Sequence, residues 1–457
     1  MRFVYPYTAN REVPDGNITN KIPRLALGFE LAQALERHVT EQQAILSKKT
    51  ILSGILGVWS LVGVEAKALD LVEAYQRALS HDPTFQSAIA ERQGGEASAA
   101  QARAALFPEA SYSRNQQTER GAGSTITISQ PLFSLDRYAT YKQSEPRRAF
   151  AEATFAVRQQ DLAQRLVKAV ADLVRARETI VLNEARIANL EKQSERAERL
   201  YQLGQGTVTD LRDIKVKFQQ AKANQITYLA QTRAAERQFV SLTGVAPGTA
   251  EFRLNDAPGL FPLPPLEQCL TLAMEANPQL EAARHSERIS ELEAQRVRGS
   301  MLPTVALAHV RSRQPNGEVN SSGVMISAPI NAGNYYSSSS AAANAVRSKE
   351  ERRALEEKTR VQIERLYGLV EAARTALAIK KSAIEAAEFS VDANNRSYLA
   401  GVRSNIDVLN SIQTLYEVKN DFVTSTLDYL SNLTELNFLV SPAFAQDMLR
   451  LHKTFFL

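Results

Sequence analysis

The chain has 457 residues, enough to bury a large core in two or three domains. Its 54 lysines and arginines nearly balance its 50 aspartates and glutamates, and the charges alternate along helical faces without forming a basic block. This distribution argues against a nucleic-acid partner. With a single cysteine, Cys269, the chain forms no intrachain disulfide, and its apolar neighbours predict a buried structural thiol.

The first 68 residues differ in pattern from the rest. Residues 48–68 begin with two lysines and continue with an apolar run and small residues at a candidate cleavage site, which is the pattern of a signal peptide. The apolar run is too short to cross a bilayer as a helix, and its alternative interpretation is a buried helix. Residues 1–47 form a poorly explained leader, for which we consider either an upstream start site or an unusually long leader.

The remaining sequence repeats one pattern twice, in residues 69–244 and 266–440. A linker rich in proline and glycine, 245–265, joins the copies, and a tail, 441–457, follows without a pattern that predicts its structure. In each copy, two short helices are each bounded by a proline. Because these prolines recur at one common offset, we infer an internal duplication.

Two segments of alternating polar and apolar residues follow the second proline of each copy. We expect four short strands, at about 110–116, 124–133, 304–312 and 323–330. On the second strand, Ile126, Ile128 and Leu132 share one face. Glycines at 121, 123 and 317 supply the turns. Taken alone, each hairpin is equally consistent with an ordinary edge hairpin of a soluble domain.

The longest uninterrupted pattern is helical. Residues 147–203 contain neither glycine nor proline and predict one helix about 85 Å long. Its apolar residues repeat every seven positions, and the register returns in the second copy, which predicts coiled coils. The seam of the first copy holds Leu166, Leu173, Ile180, Ile187, Ser194 and Tyr201, and that of the second holds Ile363, Val370, Leu377, Ile384, Val391 and Tyr398. The predicted fold is therefore mainly α, with two long antiparallel coiled-coil hairpins and four short strands.

Each helical hairpin has a tip where the chain passes from a tyrosine through a glycine to an aspartate. Gly204 and Gly401 are predicted to supply the positive φ that reverses the chain. Asp210 and Asp407 follow them, where they would cap the return helix or place a charge in its first turn.

Together, the duplication, the proline-flanked strands and the two tips resemble the TolC-like outer-membrane efflux and secretion channel family, from about residue 69 to residue 439. The resemblance implies a homotrimer whose α-helical barrel spans the periplasm and continues into a 12-stranded outer-membrane β-barrel. It also implies a periplasmic adaptor (membrane fusion) protein and an inner-membrane transporter as partners, besides outer-membrane lipid. Four strands cannot close a barrel alone, since about eight are needed.

The same resemblance implies a periplasmic entrance at the tips. By position it comprises Tyr398, Arg403 and Asp407, with Asp210 as the counterpart in the first copy, and the adaptor would touch Gly204, Gly206, Thr207, Gly401 and Ser404. Three copies of Asp407 around an axis would form a ring that attracts cations. Where the family often has a second aspartate, this chain has Asn410, which weakens the expectation of strong cation selectivity. For Tyr201 and Tyr398, filling the end of the hairpin seam is the alternative to a gate role.

The expected function is that of a passive exit duct in type I secretion or efflux, exporting proteins or small toxic molecules. The alternative is a soluble periplasmic coiled-coil scaffold, which heptads support equally well, and a trimeric adhesin is a third possibility. The five histidines lack metal-ligand spacing, and no phosphate-binding loop follows a strand. We therefore predict no catalytic residues, metal or cofactor. The sequence does not separate protein secretion from drug efflux, although the overall resemblance favours the former.

Overall fold

A computed structural model describes residues 70–456 apart from short gaps at 118–120, 205, 249–251, 256–260, 262, 315–316, 330 and 442–443. The predicted leader and signal peptide, 1–47 and 48–68, lie outside the described residues. Within the described part, no helix combines the length and the apolar composition that a bilayer span requires.

Each half of the chain contains two short helices, a β-hairpin and a pair of long helices. In the first half these are α1 (Leu71–His81), α2 (Pro83–Arg103), a 3-10 turn (Ala104–Leu106), β1 (Glu109–Gln117), β2 (Gly121–Phe133), α3 (Leu135–Lys142), α4 (Ser144–Gln202) and α5 (Val208–Thr243). In the second they are α6 (Leu266–Ala276), α7 (Pro278–Gly299), β3 (Thr304–Gln314), β4 (Gly317–Ser327), α8 (Ala332–Leu399) and α9 (Asn405–Val440), followed by α10 (Phe444–Phe455). The mainly α fold with four strands is as predicted.

The long helices pair as the heptads predict. Helix α4 has 59 residues and α8 has 68, so at 1.5 Å per residue they extend about 90 and 100 Å. Helix α4 packs against α5, and α8 packs against α9. The seam residues Leu166, Leu173, Ile363 and Val370 are fully buried in one core shared by both halves. Apolar burial along these seams holds the rods together.

The two halves differ at the start of the long helix. In the first half the chain breaks at Gln143 and Pro146 lies in the first turn of α4, where its missing N–H disturbs no helical hydrogen bond. The helix thus begins three residues before the expected position, 147. Gln143 is buried at the break and donates from Nε2 to Glu293 Oε2 at 3.1 Å. Helix α8 has no proline and continues unbroken from Ala332.

The four strands form one antiparallel sheet in the order β1-β2-β3-β4. Ile128 lies opposite Ala110 of β1 and His309 of β3, so these side chains share a face. Strand β4 is exposed along its whole length. Among the described residues, the outer edges of β1 and β4 pair with no further strand. The sheet therefore ends in two open edges.

The predicted bounds of β4, 323–330, are wrong. The strand begins at Gly317, whose φ of 145° suits the exit of a tight turn, and the polar residues after it pair with the distal half of β3. It ends at Ser327, shortly before Pro329, which has no N–H to donate to a neighbouring strand. The other strands differ from their predicted bounds by one to three residues at an end.

The tail without a predicted structure forms α10. Its residues Met448, Leu451 and Phe455 are fully buried against the main core, and the helix contacts α1 and α9. The linker between the two halves contacts α10, since Asn255 N donates a hydrogen bond to Phe455 O at 2.9 Å. The tail thus secures the connection between the two halves.

Candidate functional site

The first tip joins α4 to α5 through Gly204, whose φ is 71°. A side chain would be strained in this left-handed conformation. Thr207 then caps α5: its Oγ1 accepts from Asp210 N at 3.1 Å and donates to Asp210 Oδ2 at 2.7 Å. At Gly206 a Cβ atom would lie 3.0 Å from Tyr201 N, so the two chain segments nearly touch. Local hydrogen bonds therefore fix the shape of this tip.

The second tip joins α8 to α9 in the same way. Gly401 has a φ of 72°, and Val402 N donates to Ser397 O at 2.9 Å to close the turn. The positive φ predicted at both glycines is confirmed. Ser404 and Asp407 form a capping box, in which Ser404 N donates to Asp407 Oδ2 at 3.1 Å and Asp407 N donates to Ser404 Oγ at 3.4 Å.

The Asp407 carboxylate is held ionised by its surroundings. Hydrogen bonds from the side chain and then the backbone of Ser404 lower its pKa, and the nearby Arg403 adds to the effect. Arg403 Nη1 lies 3.9 Å from Asp407 Oδ1, and its side chain is 56% exposed. Arg403 is therefore loosely held and free to reach other partners.

The two tips approach each other through Tyr398. Burial raises the pKa of Tyr398, and the negative charge of Asp210 raises it further, whereas Arg196 opposes the shift. Beneath them, Leu409 of α9 packs into a small apolar cluster with Leu190 and Ile214 of the first hairpin. The structure thus brings Tyr398 near Asp210. Among the described residues, no hydrogen bond or ion pair joins Arg403 or Asp407 to the first tip.

Tyr201 does not fill the hairpin seam as its alternative interpretation expected, because its side chain is 45% exposed. The last packed layer of α4 is Ala197, which lies with Leu211 and Ile214 of α5. The tyrosine ring extends beyond that layer.

Asn405 is a tip residue that sequence reasoning missed. It begins α9 directly after Ser404 and is only 3% exposed. Its side-chain nitrogen and oxygen have no hydrogen-bond partner among the described residues. No pattern in the sequence marks it, since the first residue of a helix is usually exposed.

The described residues offer little to catalysis. They contain no group of three histidine, cysteine, aspartate or glutamate side chains placed to hold a metal ion. Cys269 is buried, as predicted, and burial raises the pKa of its thiol, which disfavours the reactive thiolate.

The sequence profile described as "Outer membrane efflux protein" matches residues 74–245 and 269–441. The chain is 27% identical to the alkaline protease secretion protein AprF of Pseudomonas aeruginosa, over 86% of this chain and 89% of that protein. It is 22% identical to the outer membrane protein TolC of Escherichia coli, over 88% and 89%. The solved outer membrane protein VceC of Vibrio cholerae matches with a TM-score of 0.68 and 17% identity, over 80% of this chain and 94% of that one.

Proposed function

Because the chain belongs to the outer membrane efflux protein family, we propose that three copies form one exit duct. In this duct, twelve strands make a β-barrel in the outer membrane, and the long helices continue it as a tunnel across the periplasm. An adaptor protein and an inner-membrane transporter deliver cargo to the tips.

Family membership itself confirms several predictions. The chain is an outer-membrane channel of the TolC-like type, with a periplasmic extension, and it is not an enzyme. The soluble coiled-coil scaffold is not favoured, since the match includes the strands as well as the helical hairpins.

The open edges of the sheet are the main support for a barrel formed by strands from several copies. Four strands are too few to close a barrel, and about eight is the practical minimum. Strands β1 and β4 run in opposite directions, so β4 of one copy can pair antiparallel with β1 of the next. Three copies then give twelve strands without an edge, which removes the hazard of unpaired backbone groups.

The two faces of the sheet suit lipid on one side and water on the other. The face of Ile126 and Ile128 also carries Leu307, Val324 and, between them, His309. On β2 the opposite face carries Thr125, Thr127 and Ser129, although Val310 and Met325 of the neighbouring strands lie there too. Exposed aromatic side chains lie near the junction of sheet and helices, as in the aromatic girdles of membrane barrels: Phe107, Phe133, Tyr138, Tyr141, Tyr335 and Tyr336. We assign the Ile126 face to lipid.

The tips are proposed as the entrance and the adaptor contact. Tyr398, Arg403, Asp407 and Asp210 are the proposed entrance residues. The proposed adaptor contact is Gly204, Gly206, Thr207, Gly401 and Ser404. Leu203 and Val402 stand largely exposed beside these residues and offer apolar surface to a partner.

The proposed cargo is protein. AprF is named for the secretion of alkaline protease, and the chain matches nearly the whole of that protein. We assign this chain to type I secretion on that likeness, with substrate choice made by the inner-membrane transporter.

The stoichiometry and conductance of the purified protein test the proposal. Detergent extraction of outer membranes, mass measurement of the complex and planar-bilayer recording should give a trimer with a water-filled pore. A protein that leaves the membrane fraction in high salt without detergent, runs as a monomer and passes no current would contradict it.

A further inference from the structure

We propose that the distal part of the sheet binds the phosphate groups of a lipid headgroup through three arginines, Arg114, Arg311 and Arg313, which we term the distal arginine cluster. The inference rests on the proposed function, since it requires the Ile126 face to meet lipid. It adds a ligand site to a part of the molecule outside the entrance.

Strand register brings the cluster together. Arg114 of β1 lies opposite Ser124 of β2, and Ser124 lies opposite Arg313 of β3, so the three form one row on one face. Two strand spacings separate the arginines by about 10 Å at the backbone. Because the serine between them is short, the two guanidinium groups can converge over it. Arg311 lies two residues from Arg313 on the same face, opposite Ile126.

The position of the row matches a headgroup level. Both hairpins turn a few residues beyond it, so the row lies at the end of the sheet farthest from the helices. Tyr112 lies opposite Ile126 and is exposed, as is typical of tyrosines at a membrane interface. Closer to the helices, the same face carries Ile128 and Leu307, which suit the hydrocarbon layer, and His309, whose Nδ1 is hydrogen-bonded to Ser322 Oγ at 2.8 Å.

The cluster has an excess of positive charge. Among the described residues, Glu318 of β4 is the acidic residue beside it: its carboxylate pairs with Arg311 and lies 3.5 Å from Arg313 Nη2. Arg114 forms no ion pair within the described part of the chain. Uncompensated charge at a lipid-facing surface is costly, so an anionic partner is favoured.

Phosphate fits this arrangement best. A guanidinium group can donate two parallel hydrogen bonds to a phosphate, and the Ser124 hydroxyl adds a further donor between Arg114 and Arg313. Because the row lies on the lipid-facing side, the occupant we commit to is a phosphorylated lipid of the outer leaflet.

The test compares lipid binding by the intact oligomer. Wild-type protein and the Arg114→Gln, Arg313→Gln double variant are purified in detergent and titrated with bis-phosphorylated lipid A, with bound lipid counted by native mass spectrometry. A basic residue near an anionic membrane surface contributes about fivefold in affinity, so the double variant should bind at least tenfold more weakly. Arg114→Lys with Arg313→Lys, which keeps the charges, should retain most of the binding and reports that the fold tolerates substitution.

Three controls can overturn the inference. The matched variant Arg233→Gln, Arg237→Gln removes two exposed arginines from α5 and should bind lipid like wild type. Equal loss in that variant, equal binding of dephosphorylated lipid A, or displacement of the lipid by inorganic phosphate at equal concentration would each contradict a headgroup site. Planar-bilayer conductance, recorded in parallel, separates the proposed duct from the proposed lipid site. If the glutamine variant forms conducting trimers and binds lipid as the wild type does, the lipid site is refuted and the proposed duct is not.

Discussion

Arg165 of α4 donates from Nη2 to Asp82 Oδ2 at 2.7 Å, and Asp82 is the residue that caps α2. The residue that corresponds to Asp82 in the second half is Asn277, whose Oδ1 caps α7 by accepting a hydrogen bond from Gln279 N at 2.8 Å. The two copies therefore form the same cap, once with a partly buried ion pair and once with a neutral amide.

This difference predicts the effect of Asp82→Asn. The variant keeps a capping oxygen but loses the charge that pairs with Arg165, whose side chain is 34% exposed. Because the remaining cation is partly solvated, we expect a loss of about 1–3 kcal/mol in the free energy of unfolding at pH 7. Denaturant unfolding followed by circular dichroism measures it. Asp161→Asn, which removes an exposed partner of the same arginine, should cost less than about 0.5 kcal/mol.

The same pair predicts a pH dependence. Burial acts to raise the pKa of Asp82, but hydrogen bonds from Arg165 and Thr84 outweigh it, and the pKa is lowered. A carboxyl group with a lowered pKa in the folded state stabilises the protein above its unfolded pKa of about 3.9, and this contribution is lost as pH falls through the folded value. The gap in unfolding free energy between wild type and Asp82→Asn should therefore shrink below about pH 4. A gap that widens on acidification would refute the assignment.

At the tips, we expect Arg403→Ser to raise single-channel conductance in planar bilayers. Arg403 is the cation nearest Asp407 and is mostly exposed, so in a trimer it can also bind a neighbouring copy and hold the entrance narrow. Arg396→Ser is the matched control, because Arg396 is exposed on α8 and pairs with Asp392 of its own helix. Identical conductance in the two variants would show that Arg403 does not narrow the entrance.

Ser404 is expected to set the pH at which the Asp407 ring loses its charge. Because Ser404 hydrogen bonds lower the pKa of Asp407, any cation preference that the proposed Asp407 ring gives the wild-type channel should persist below about pH 4, the ordinary carboxyl range. Ser404→Ala should move the loss of preference to higher pH, and Asp407→Asn should abolish the preference at all pH values. Reversal potentials in a salt gradient report both. Thr207→Ala, at the other tip, should leave the Asp407 titration in place.

Replacement of Ile126 and Ile128 by aspartate should prevent stable membrane assembly. Both side chains are exposed on the face assigned to lipid. Ile126 lies opposite Arg311 of the distal arginine cluster, so the main cost, up to a few kcal/mol, comes from the charge at position 128, which lies closer to the helices in the hydrocarbon layer. Thr127→Asp with Ser129→Asp places the same charges on the opposite face of β2 and should be tolerated. Detergent-resistant trimers counted after outer-membrane fractionation give the result. Equal assembly of both pairs would mean that the faces are assigned wrongly.

The sequence predicts those parts of the fold whose signal is local and periodic. Seam residues such as Leu166 and Ile363 follow a seven-residue repeat, and Gly204 and Gly401 are required by the turn itself. The tail helix was missed although Met448, Leu451 and Phe455 have helical spacing, because twelve residues are a weak signal and their burial depends on α1 and α9, distant in sequence.

The site was predicted less completely for the same reason. The capping roles at the tips depend on neighbours in sequence, as Ser404 with Asp407. The proximity of Tyr398 to Asp210 and the burial of Asn405 arise only when the two hairpins pack side by side, so no pattern within one hairpin specifies them.

The unpaired edges of β1 and β4 also bear on how the protein matures after export. A single copy in the periplasm would expose two edge strands with unpaired backbone groups, and these could pair with any other extended chain. In the proposed trimer, closing the barrel requires two further copies of the chain. Biogenesis of the proposed duct should depend steeply on expression level, and periplasmic chaperones that mask bare strands should decide its yield.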